Sequence, residues 1–451
     1  LISPADVTTK YIVPGITDVS VTKATGSSTV MSTYGGETIV LSGSNFGPHT
    51  KTNSILEGCK YSGTAAKNVP TPTSTYKNSR GITFHLAECE VVTAHDKIHC
   101  NSIVGVGKDF QWQVNVDSQQ SNPSTGTTRY EQPVIDKISG PGALGGSSRG
   151  GDKFYVHGEY FGPAGSIYID LVAYWNDVVL NRFEGLVCTV EQAQKRIECE
   201  TSPGVGKDFR YRVDIAEQSS NVGQFNGFYA QPALFGVKRT TGKALDDSDT
   251  RGFVEVEIVG NTKSIFYEYA IIDGENFGPG NVTWNPVIGT YGTATEEFKA
   301  LDCVVVVPHV QVRCRMNQGA GRKHSWSLII GDQLSRSPTS SYGIPEVSSL
   351  SGPGASFAST NGGQAIKIEG LNFGPYPTGA LVTYGESGQE YTASDCVVAS
   401  HTEVNCMTVP GTGEKLYWRV TVRSQSSILG KTTSYAGPVI HSISPATSST
   451  L

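Results

Sequence analysis

The sequence contains no run of about 18 or more apolar residues, which is the length that a membrane-spanning helix needs. Charge is also scarce, because charged residues make up only 17% of the 451 positions and the net charge is -6 at pH 7. No stripe of lysine and arginine follows the chain, and nucleic-acid binding rests largely on such clusters. We therefore predict no membrane segment within this sequence and no nucleic-acid partner.

Helical signals are equally scarce, whereas signals for turns and strands are abundant. The chain has 52 glycines and 22 prolines, and no stretch has the spacing of an amphipathic helix. Several segments instead alternate apolar and polar residues, as in 110–116, where Phe110, Trp112 and Val114 would face one side. One buried and one solvated face is typical of a strand in a β-sandwich. Composition and alternation together predict an all-β fold.

Internal repetition is the strongest signal in the sequence. An apolar run ending in Gly-x-x-Phe-Gly-Pro occurs four times, with its phenylalanine at Phe46, Phe161, Phe277 and Phe373. A second block opens with Gly-x-Gly and continues into an alternating strand; it begins at Gly105, Gly204, Gly319 and Gly411. A third is a proline-led opening strand, which begins at Pro14, Pro133, Pro232, Pro345 and Pro438.

These anchors predict four repeats, at 14–131, 132–231, 232–343 and 344–436, each of a length that suits one immunoglobulin-like β-sandwich. The third repeat diverges, because it lacks a Gly-Gly pair and carries an insertion that we place around 240–252. Residues 1–13 resemble the closing strand of a preceding repeat, and residues 437–451 the opening strand of a following one. We therefore expect head-to-tail assembly, either by continuation of the chain or by donation of terminal strands.

Eight of the nine cysteines form one pair in each repeat: Cys89 and Cys100, Cys188 and Cys199, Cys303 and Cys314, Cys396 and Cys406. Two cysteines that face each other across a tight hairpin lie within disulfide reach, so we predict four disulfides and an oxidising compartment. Zinc is the alternative, but zinc sites use a closer pair and further ligands, and no Cys-x-x-Cys occurs. Cys59 is left unpaired, either as a free thiol or as a bond to another repeat or chain.

The order of motifs in the fourth repeat resembles that of the IPT/TIG domain, an immunoglobulin-like module. The resemblance rests on Ser351-Gly352-Pro353, then Gly362-Gly363, then the run from Gly370 to Gly374 that contains Asn372 and Phe373. It implies tandem β-sandwich domains arranged as a rod. Extracellular members of the family, such as plexins, use these domains as rigid spacers and protein-binding modules, so the resemblance is weak evidence for one particular function.

Other candidate sites each have a structural alternative. The carboxylates of Asp246, Asp247 and Asp249 could bind calcium, but they lack the pattern of an EF-hand and also suit a solvated loop. Asn281 opens an Asn-Val-Thr glycosylation triplet. The recurring aromatic residues of the second block could stack on sugars, but their alternation with polar neighbours favours a place in the core; they are Trp112, Tyr211, Trp326 and Trp418.

The sequence therefore predicts a structural component of an extracellular filament, fibre or stalk. The alternative is the ectodomain of a cell-surface receptor or adhesion protein that binds a protein or glycan. We expect no enzymatic activity, since histidines such as His309 and His401 do not recur beside a serine or carboxylate, and no Gly-x-Ser-x-Gly motif occurs. We expect no cofactor, no metal, and partners that are copies of the chain, neighbouring repeats or attached glycans.

Overall fold

The structure is a computed structural model that describes residues 11–49, 71–86, 89–177, 179, 182–259, 262–280 and 282–444. It confirms the all-β prediction, because apart from a 3-10 turn at Pro353–Ala355 every regular element of these residues is a β-strand. The chain divides into two compact units between Ala230 and Gln231, and each unit contains two copies of the repeated motifs. None of the helices in the described part is long and apolar enough to cross a membrane.

The first unit contains the strands of repeats 1 and 2. Those of repeat 1 are β1 (Gly15–Lys23), β2 (Gly26–Ser28), β3 (Val30–Met31), β4 (Thr38–Ser44), β5 (Thr73–Lys77), β6 (Thr83–Leu86), β7 (Cys89–Thr93), β8 (Lys97–Asn101), β9 (Gln111–Val116), β10 (Gln119–Gln120) and β11 (Arg129–Tyr130). Those of repeat 2 are β12 (Val134–Ser139), β13 (Leu144–Gly146), β14 (Lys153–Glu159), β15 (Ile169–Trp175), β16 (Arg182–Gln192), β17 (Arg196–Thr201), β18 (Lys207–Ile215), β19 (Gln218–Ser219) and β20 (Gly223–Tyr229).

The second unit contains the strands of repeats 3 and 4. Those of repeat 3 are β21 (Ala233–Arg239), β22 (Phe253–Val259), β23 (Thr262–Tyr267), β24 (Tyr269–Glu275), β25 (Val287–Thr293), β26 (Glu296–Lys299), β27 (Leu301–Val307), β28 (Gln311–Arg315), β29 (His324–Ile330) and β30 (Gln333–Ser340). Those of repeat 4 are β31 (Glu346–Ser351), β32 (Ala365–Leu371), β33 (Ala380–Gly385), β34 (Tyr391–Thr392), β35 (Ser394–Ser400), β36 (Glu403–Met407), β37 (Leu416–Val422), β38 (Gln425–Ser426) and β39 (Thr432–Thr433).

All four repeats share one strand plan, which is clearest in repeat 4. One sheet has the order β31-β32-β36-β35, and the other is built around β33 paired with β37. In repeat 2 the two layers are joined, because the long β16 pairs with β17 along most of its length and with β15 at its start. The strands alternate inward and outward residues, so the apolar faces of the two sheets form the core of each sandwich.

The core of every repeat is aromatic, as the alternation predicted. The four aromatic residues of the second block are at most 3% exposed, which confirms their place in the core. In repeat 4, the ring of Trp418 stacks on that of Tyr384 at 4.2 Å between centroids, and its Nε1 donates to Thr433 Oγ1 at 2.9 Å. The sugar-platform alternative fails for this row, because none of these rings faces solvent.

A buried pair of tyrosines also recurs, and none of the sequence motifs predicted it. The hydroxyl oxygens are 2.6 Å apart in each of four pairs, which are Tyr76–Tyr130, Tyr174–Tyr229, Tyr291–Tyr342 and Tyr384–Tyr435. The second tyrosine of each pair donates to a main-chain carbonyl on the strand-end loop, for example Tyr342 to Asn317 at 2.7 Å. The hydroxyls of each pair thus tie the closing segment of its repeat to the loop that follows β8, β17, β28 or β36.

The Gly-x-x-Phe-Gly motif marks a close approach of two strands. In repeat 2, a Cβ at Gly158 would overlap both the carbonyl oxygen of Val134 and the ring of Phe161. The facing strand β12 has a bulge at this level, between Ile135 and Lys137. The following Gly162 has a φ of 86°, a conformation that side chains with a Cβ disfavour. Both glycines are therefore required by backbone geometry.

Repeat 3 departs from the plan through an added hairpin. In repeats 1, 2 and 4 the residue after the Gly-Gly turn has a carboxylate or carboxamide side chain, and its oxygen accepts a hydrogen bond from a nearby main-chain N–H. In repeat 4, for example, Gln364 accepts from the N–H of Ser359 at 2.6 Å. Glu268 makes the equivalent bond to the amide of Asp249, at 2.9 Å, although β22 and β23 separate the two residues. The main insertion of repeat 3 is therefore the hairpin formed by β22 and β23, which follows the segment 240–252.

Candidate functional site: the junctions between consecutive repeats

Each compact unit contains one junction between two consecutive repeats, and the two junctions have the same construction. A short linker, from Tyr130 to Pro133 in the first unit and from Tyr342 to Pro345 in the second, joins the closing strand of one repeat to the opening strand of the next. The proline restricts its own φ and the conformation of the residue before it. Side chains from the following repeat then bind the linker and the loops of the preceding repeat.

A buried glutamine binds the linker at both junctions. The side-chain amide of Gln218 donates to the carbonyl oxygen of Tyr130 at 2.9 Å, and Gln425 donates to that of Tyr342 at the same distance. Both glutamines are less than 10% exposed. A buried carbonyl without a partner is costly, so these bonds favour one orientation of each repeat on its linker.

The asparagine of the Phe-Gly-Pro motif contributes a second contact with the linker in repeat 4. Asn372 Nδ2 donates to the carbonyl oxygen of Ile344, which precedes the linker proline, at 3.0 Å. Asn372 has a φ of 64°, a left-handed conformation that asparagine tolerates better than most residues. The motif therefore serves the junction as well as the fold of its own repeat.

The tip of the disulfide hairpin in the following repeat contacts a loop of the preceding repeat, which is the loop before β4 in repeat 1 and the loop before β22 in repeat 3. In the first unit, Gln194 Nε2 donates to the buried carbonyl of Thr33 at 2.9 Å. In the second unit, His401 Nδ1 lies 2.9 Å from Thr250 Oγ1. The contacts join residues that are 161 and 151 positions apart in the chain.

A small apolar residue of the preceding repeat completes each interface. Val106 lies against Gly162, where a Cβ would come within 2.6 Å of its Cγ1. Ala320 occupies the matching place against Gly374 and belongs to the buried cluster that contains Phe373 of repeat 4. The core of the following repeat therefore continues into the junction.

Ion pairs flank both junctions, but with reversed polarity. In the first unit, Arg80 of repeat 1 pairs with Asp170 of repeat 2 and lies 4.0 Å from Glu217. In the second, Glu296 of repeat 3 pairs with Arg423 of repeat 4 at 3.0 Å. The hydrogen bond and the charge of Asp170 raise the pKa of Arg80, so this arginine stays protonated. The cation belongs to the preceding repeat at the first junction and to the following repeat at the second. If repeat 4 took the place of repeat 2 after repeat 1, Arg423 would therefore face Arg80, a charge of the same sign.

The predicted cysteine pairs lie in the hairpins whose tips reach these junctions or their equivalents. The structure joins Cys89 to Cys100, Cys188 to Cys199, Cys303 to Cys314 and Cys396 to Cys406, with Cα–Cα distances of 4.1–4.4 Å. A disulfide that closes so short a loop stabilises by roughly 3 kcal/mol in the chain-entropy model. Cys59 and Asn281 lie outside the described residues, so their proposed roles stay predictions.

The acidic segment of repeat 3 is paired with arginines. Asp247 pairs with Arg239, while both carboxylate oxygens of Asp249 accept bonds from Arg251, at 2.9 and 2.6 Å. Within the described ranges, no group of three or more histidine, cysteine or acidic side chains is arranged to hold a metal ion. These pairs favour a structural role for the segment over calcium binding.

Sequence reasoning missed two features of the junctions. The glutamine recurs visibly in the second block, as Gln119, Gln218, Gln333 and Gln425, so a signal was present but its role was not assigned. The residue at the hairpin tip, Gln194 or His401, is harder to recognise in the sequence, because the hairpin of repeat 4 is one residue shorter than the others. The equivalence is clear in the structure: the amide of the motif phenylalanine binds the carbonyl of His95, Gln194, His309 or His401.

Comparison with known proteins gives a family for the fourth repeat. The family model of the IPT/TIG domain matches residues 345–435. No curated protein matches the sequence of the chain.

The solved structures that match the chain have low sequence identity and low TM-scores. The plexin A4 extracellular region is 12% identical, with 90% of this chain and 36% of plexin covered and a TM-score of 0.21. A tetra-tandem repeat from the extending region of a large adhesion protein is 10% identical, with 93% and 98% covered and a TM-score of 0.28. SGBP-B from a xyloglucan utilization locus of Bacteroides uniformis is 13% identical, with 93% and 99% covered and a TM-score of 0.18. The family match therefore identifies residues 345–435 as an IPT/TIG domain, and the other three repeats share the motifs and the strand plan of that domain.

Proposed function

We propose that this chain is a semi-rigid spacer in an extracellular filament, fibre or stalk. The observation that carries the proposal is the recurrence of one junction design in both compact units. A buried glutamine binds the linker carbonyl, a hairpin tip binds the preceding repeat, and a small apolar residue fills the remaining space. A junction that is held by hydrogen bonds to buried groups bends far less than a junction that is joined by a flexible linker alone.

The disulfides support an extracellular location. Four hairpin disulfides in one chain suit an oxidising compartment, since cytosolic thiols are kept reduced. Under tension, each disulfide would keep the hairpin that reaches the junction from being pulled apart. The proposed role is mechanical and non-catalytic.

Small-angle scattering and negative-stain microscopy of the full chain test the spacer role. A narrow distribution of bend angles within each pair of repeats would support it. A broad distribution of bend angles within each pair of repeats would contradict it, because the junction contacts would then not hold in solution. Gln425→Ala should increase the bending in the second unit, whereas Gln389→Ala, a change of an exposed glutamine in the same repeat, should not.

Head-to-tail association with further copies is part of the proposal. Analytical ultracentrifugation over a range of concentrations would detect such association through a rising mass. A sedimentation mass that stays at 48 kDa at all concentrations would contradict self-association but leave the spacer role intact.

One feature favours the alternative, a receptor or adhesion ectodomain. Repeat 3 has an open groove of about 510 Å³ on the outer face of its second sheet, where Thr290, Ser327 and Arg336 stand on adjacent strands in register. Its floor is formed by small side chains, while the equivalent positions in repeat 2 hold arginines such as Arg212. This second role would be favoured if the wild type binds a glycan or protein and the Arg336→Ala variant, at an unchanged melting temperature, does not.

A further inference from the structure

The two junctions differ at the hairpin tip in a way that matters for their response to pH. Gln194 and His401 occupy equivalent positions, since their carbonyl oxygens accept the amide of Phe161 at 3.3 Å and that of Phe373 at 3.0 Å. Both side chains bind the same loop of the preceding repeat. An amide does not titrate near neutral pH, whereas an imidazole does.

The site of His401 is a cavity of about 250 Å³ between repeats 3 and 4. Repeat 4 lines it with Leu371, Asn372 and Thr402 beside His401. The charged groups that face it all come from repeat 3, and they are Arg239, Asp247, Asp249, Arg251 and Glu268. The cavity therefore brings the imidazole of His401 in repeat 4 against a network of charges on repeat 3.

The charges in the cavity already have partners. Arg251 binds both oxygens of Asp249, and Arg239 pairs with Asp247 and lies 3.3 Å from the carboxylate of Glu268. Glu268 is only 4% exposed and also accepts the amide of Asp249. A proton on His401 would thus add a charge to a half-buried site where the carboxylate of Asp249, which acts on His401, is already bound by Arg251.

We propose that acidification weakens the junction between repeats 3 and 4 through protonation of His401, and that the junction between repeats 1 and 2, which has Gln194 at this position, lacks this response. The inference rests on the junction contacts and holds whether or not the chain serves as a spacer.

The direction of the response follows from the environment of His401. Burial lowers its pKa, Arg251 lowers it further and Asp249 partly opposes this. A histidine whose pKa is lowered by a contact stabilises that contact in its neutral form. The contribution is fully present above the ordinary imidazole pKa of about 6.5 and is lost as the pH falls below it.

Two other titratable groups act near this junction. Burial raises the pKa of Glu268, so its protonation would relieve a buried charge and have the opposite effect on stability. His324 lies in the core of repeat 3, where burial and the nearby charge of Arg423 lower its pKa. Both groups remain in a His401→Gln variant, so the difference between that variant and the wild type isolates His401.

Pulsed electron paramagnetic resonance on the full chain can test the proposal. Spin labels attached to non-canonical amino acids, which leave the disulfides intact, would replace exposed Lys299 and Lys431 across the second junction, and Lys77 and Glu184 across the first. Between about pH 7.5 and about pH 5, which bracket the titration of imidazole, we expect the distance distribution across the second junction to broaden several-fold and that across the first to stay unchanged.

Exchange of the two tip residues provides the matched controls. His401→Gln should remove the acid response of the second junction, and Gln194→His should introduce one at the first. The proposal is overturned if the His401→Gln protein broadens as much as the wild type, if the wild type shows no change, or if both wild-type junctions broaden equally. Circular dichroism at each pH confirms that the repeats stay folded.

Discussion

The side-chain amide of Gln425 donates a hydrogen bond of 2.9 Å to the main-chain carbonyl of Tyr342, a residue of the preceding repeat whose own hydroxyl is paired with Tyr291. One residue, Tyr342, thus anchors the closing strand of repeat 3 through its side chain and orients repeat 4 through its backbone. The equivalent residues Gln218 and Tyr130 have the same relationship in the first unit.

Removal of this glutamine should destabilise the contact between the repeats. We expect Gln425→Ala to lower the free energy of unfolding by about 1–3 kcal/mol, because the change leaves the carbonyl of Tyr342 buried without a partner. Denaturant unfolding followed by tryptophan fluorescence measures the loss. Gln389→Ala, at an exposed position, is the control and should change stability by less than about 0.5 kcal/mol. Equal effects of the two changes would contradict the assigned role.

Truncation of the core tryptophan should impair folding and not a selective binding activity. Trp418 is fully buried and stacked on Tyr384, so Trp418→Ala should cost roughly 3–5 kcal/mol. Its neighbour Tyr417 points to the outer face and is 37% exposed, so Tyr417→Ala should cost much less. Thermal unfolding compares the two variants. A Trp418→Ala protein with an unchanged melting temperature would show that this ring is not part of the core.

The tyrosine pairs should make the protein unfold at high pH. Burial raises the pKa of Tyr76 and that of Tyr291 to about 12, and it raises the pKa of Tyr130 and Tyr342 as well. A raised pKa means that the protonated form stabilises the fold; the contribution is complete below the ordinary pKa of about 10 and is lost as the pH rises through the folded value. Ultraviolet titration of phenolate together with circular dichroism should show the buried tyrosines ionising only as the sheets unfold. Complete ionisation near pH 10 with an intact dichroism spectrum would argue against the paired, buried hydroxyls.

Reversal of one charge in the ion pair at the first junction should weaken the junction, and reversal of both charges should restore it. Arg80→Glu places a carboxylate against Asp170 and Glu217, and we expect a loss of about 0.5 kcal/mol, since partly exposed pairs are weak. Addition of Asp170→Arg to this variant should restore most of the stability. A double-mutant cycle at low salt measures the coupling, which should shrink as salt is added. A coupling energy indistinguishable from zero would mean that the pair contributes nothing to the junction.

Much of the fold could be predicted because it follows from local pattern and from repetition. The alternation around Trp418 predicts which residues face the core, since successive side chains of a strand point to opposite faces. The nearly constant spacing of Cys89 and Cys100 and of their counterparts predicts facing positions in a hairpin. The motif around Phe373 identifies the family because its glycines meet backbone constraints that recur in every copy.

The hairpin of repeat 3 shows where such reasoning stops. From the sequence we place the insertion around 240–252, in the repeat that lacks a Gly-Gly pair. Strands β22 and β23 follow that segment, and the sequence of β22, FVEVEIV, alternates apolar and polar residues much as a strand of the sandwich does. Only the bond between Glu268 and the amide of Asp249 shows that the hairpin interrupts a turn that the other repeats close with a second glycine.

The sequence by itself determined that the chain is an all-β array of repeats with paired cysteines and aromatic cores, because strand period, hairpin spacing and motif recurrence are properties of neighbouring residues. The tertiary structure decided how consecutive repeats meet. The contact of His401 with Thr250 joins residues 151 positions apart, and it depends on how one sandwich is turned against the next. That orientation results from several weak contacts acting together, so no single stretch of sequence encodes it.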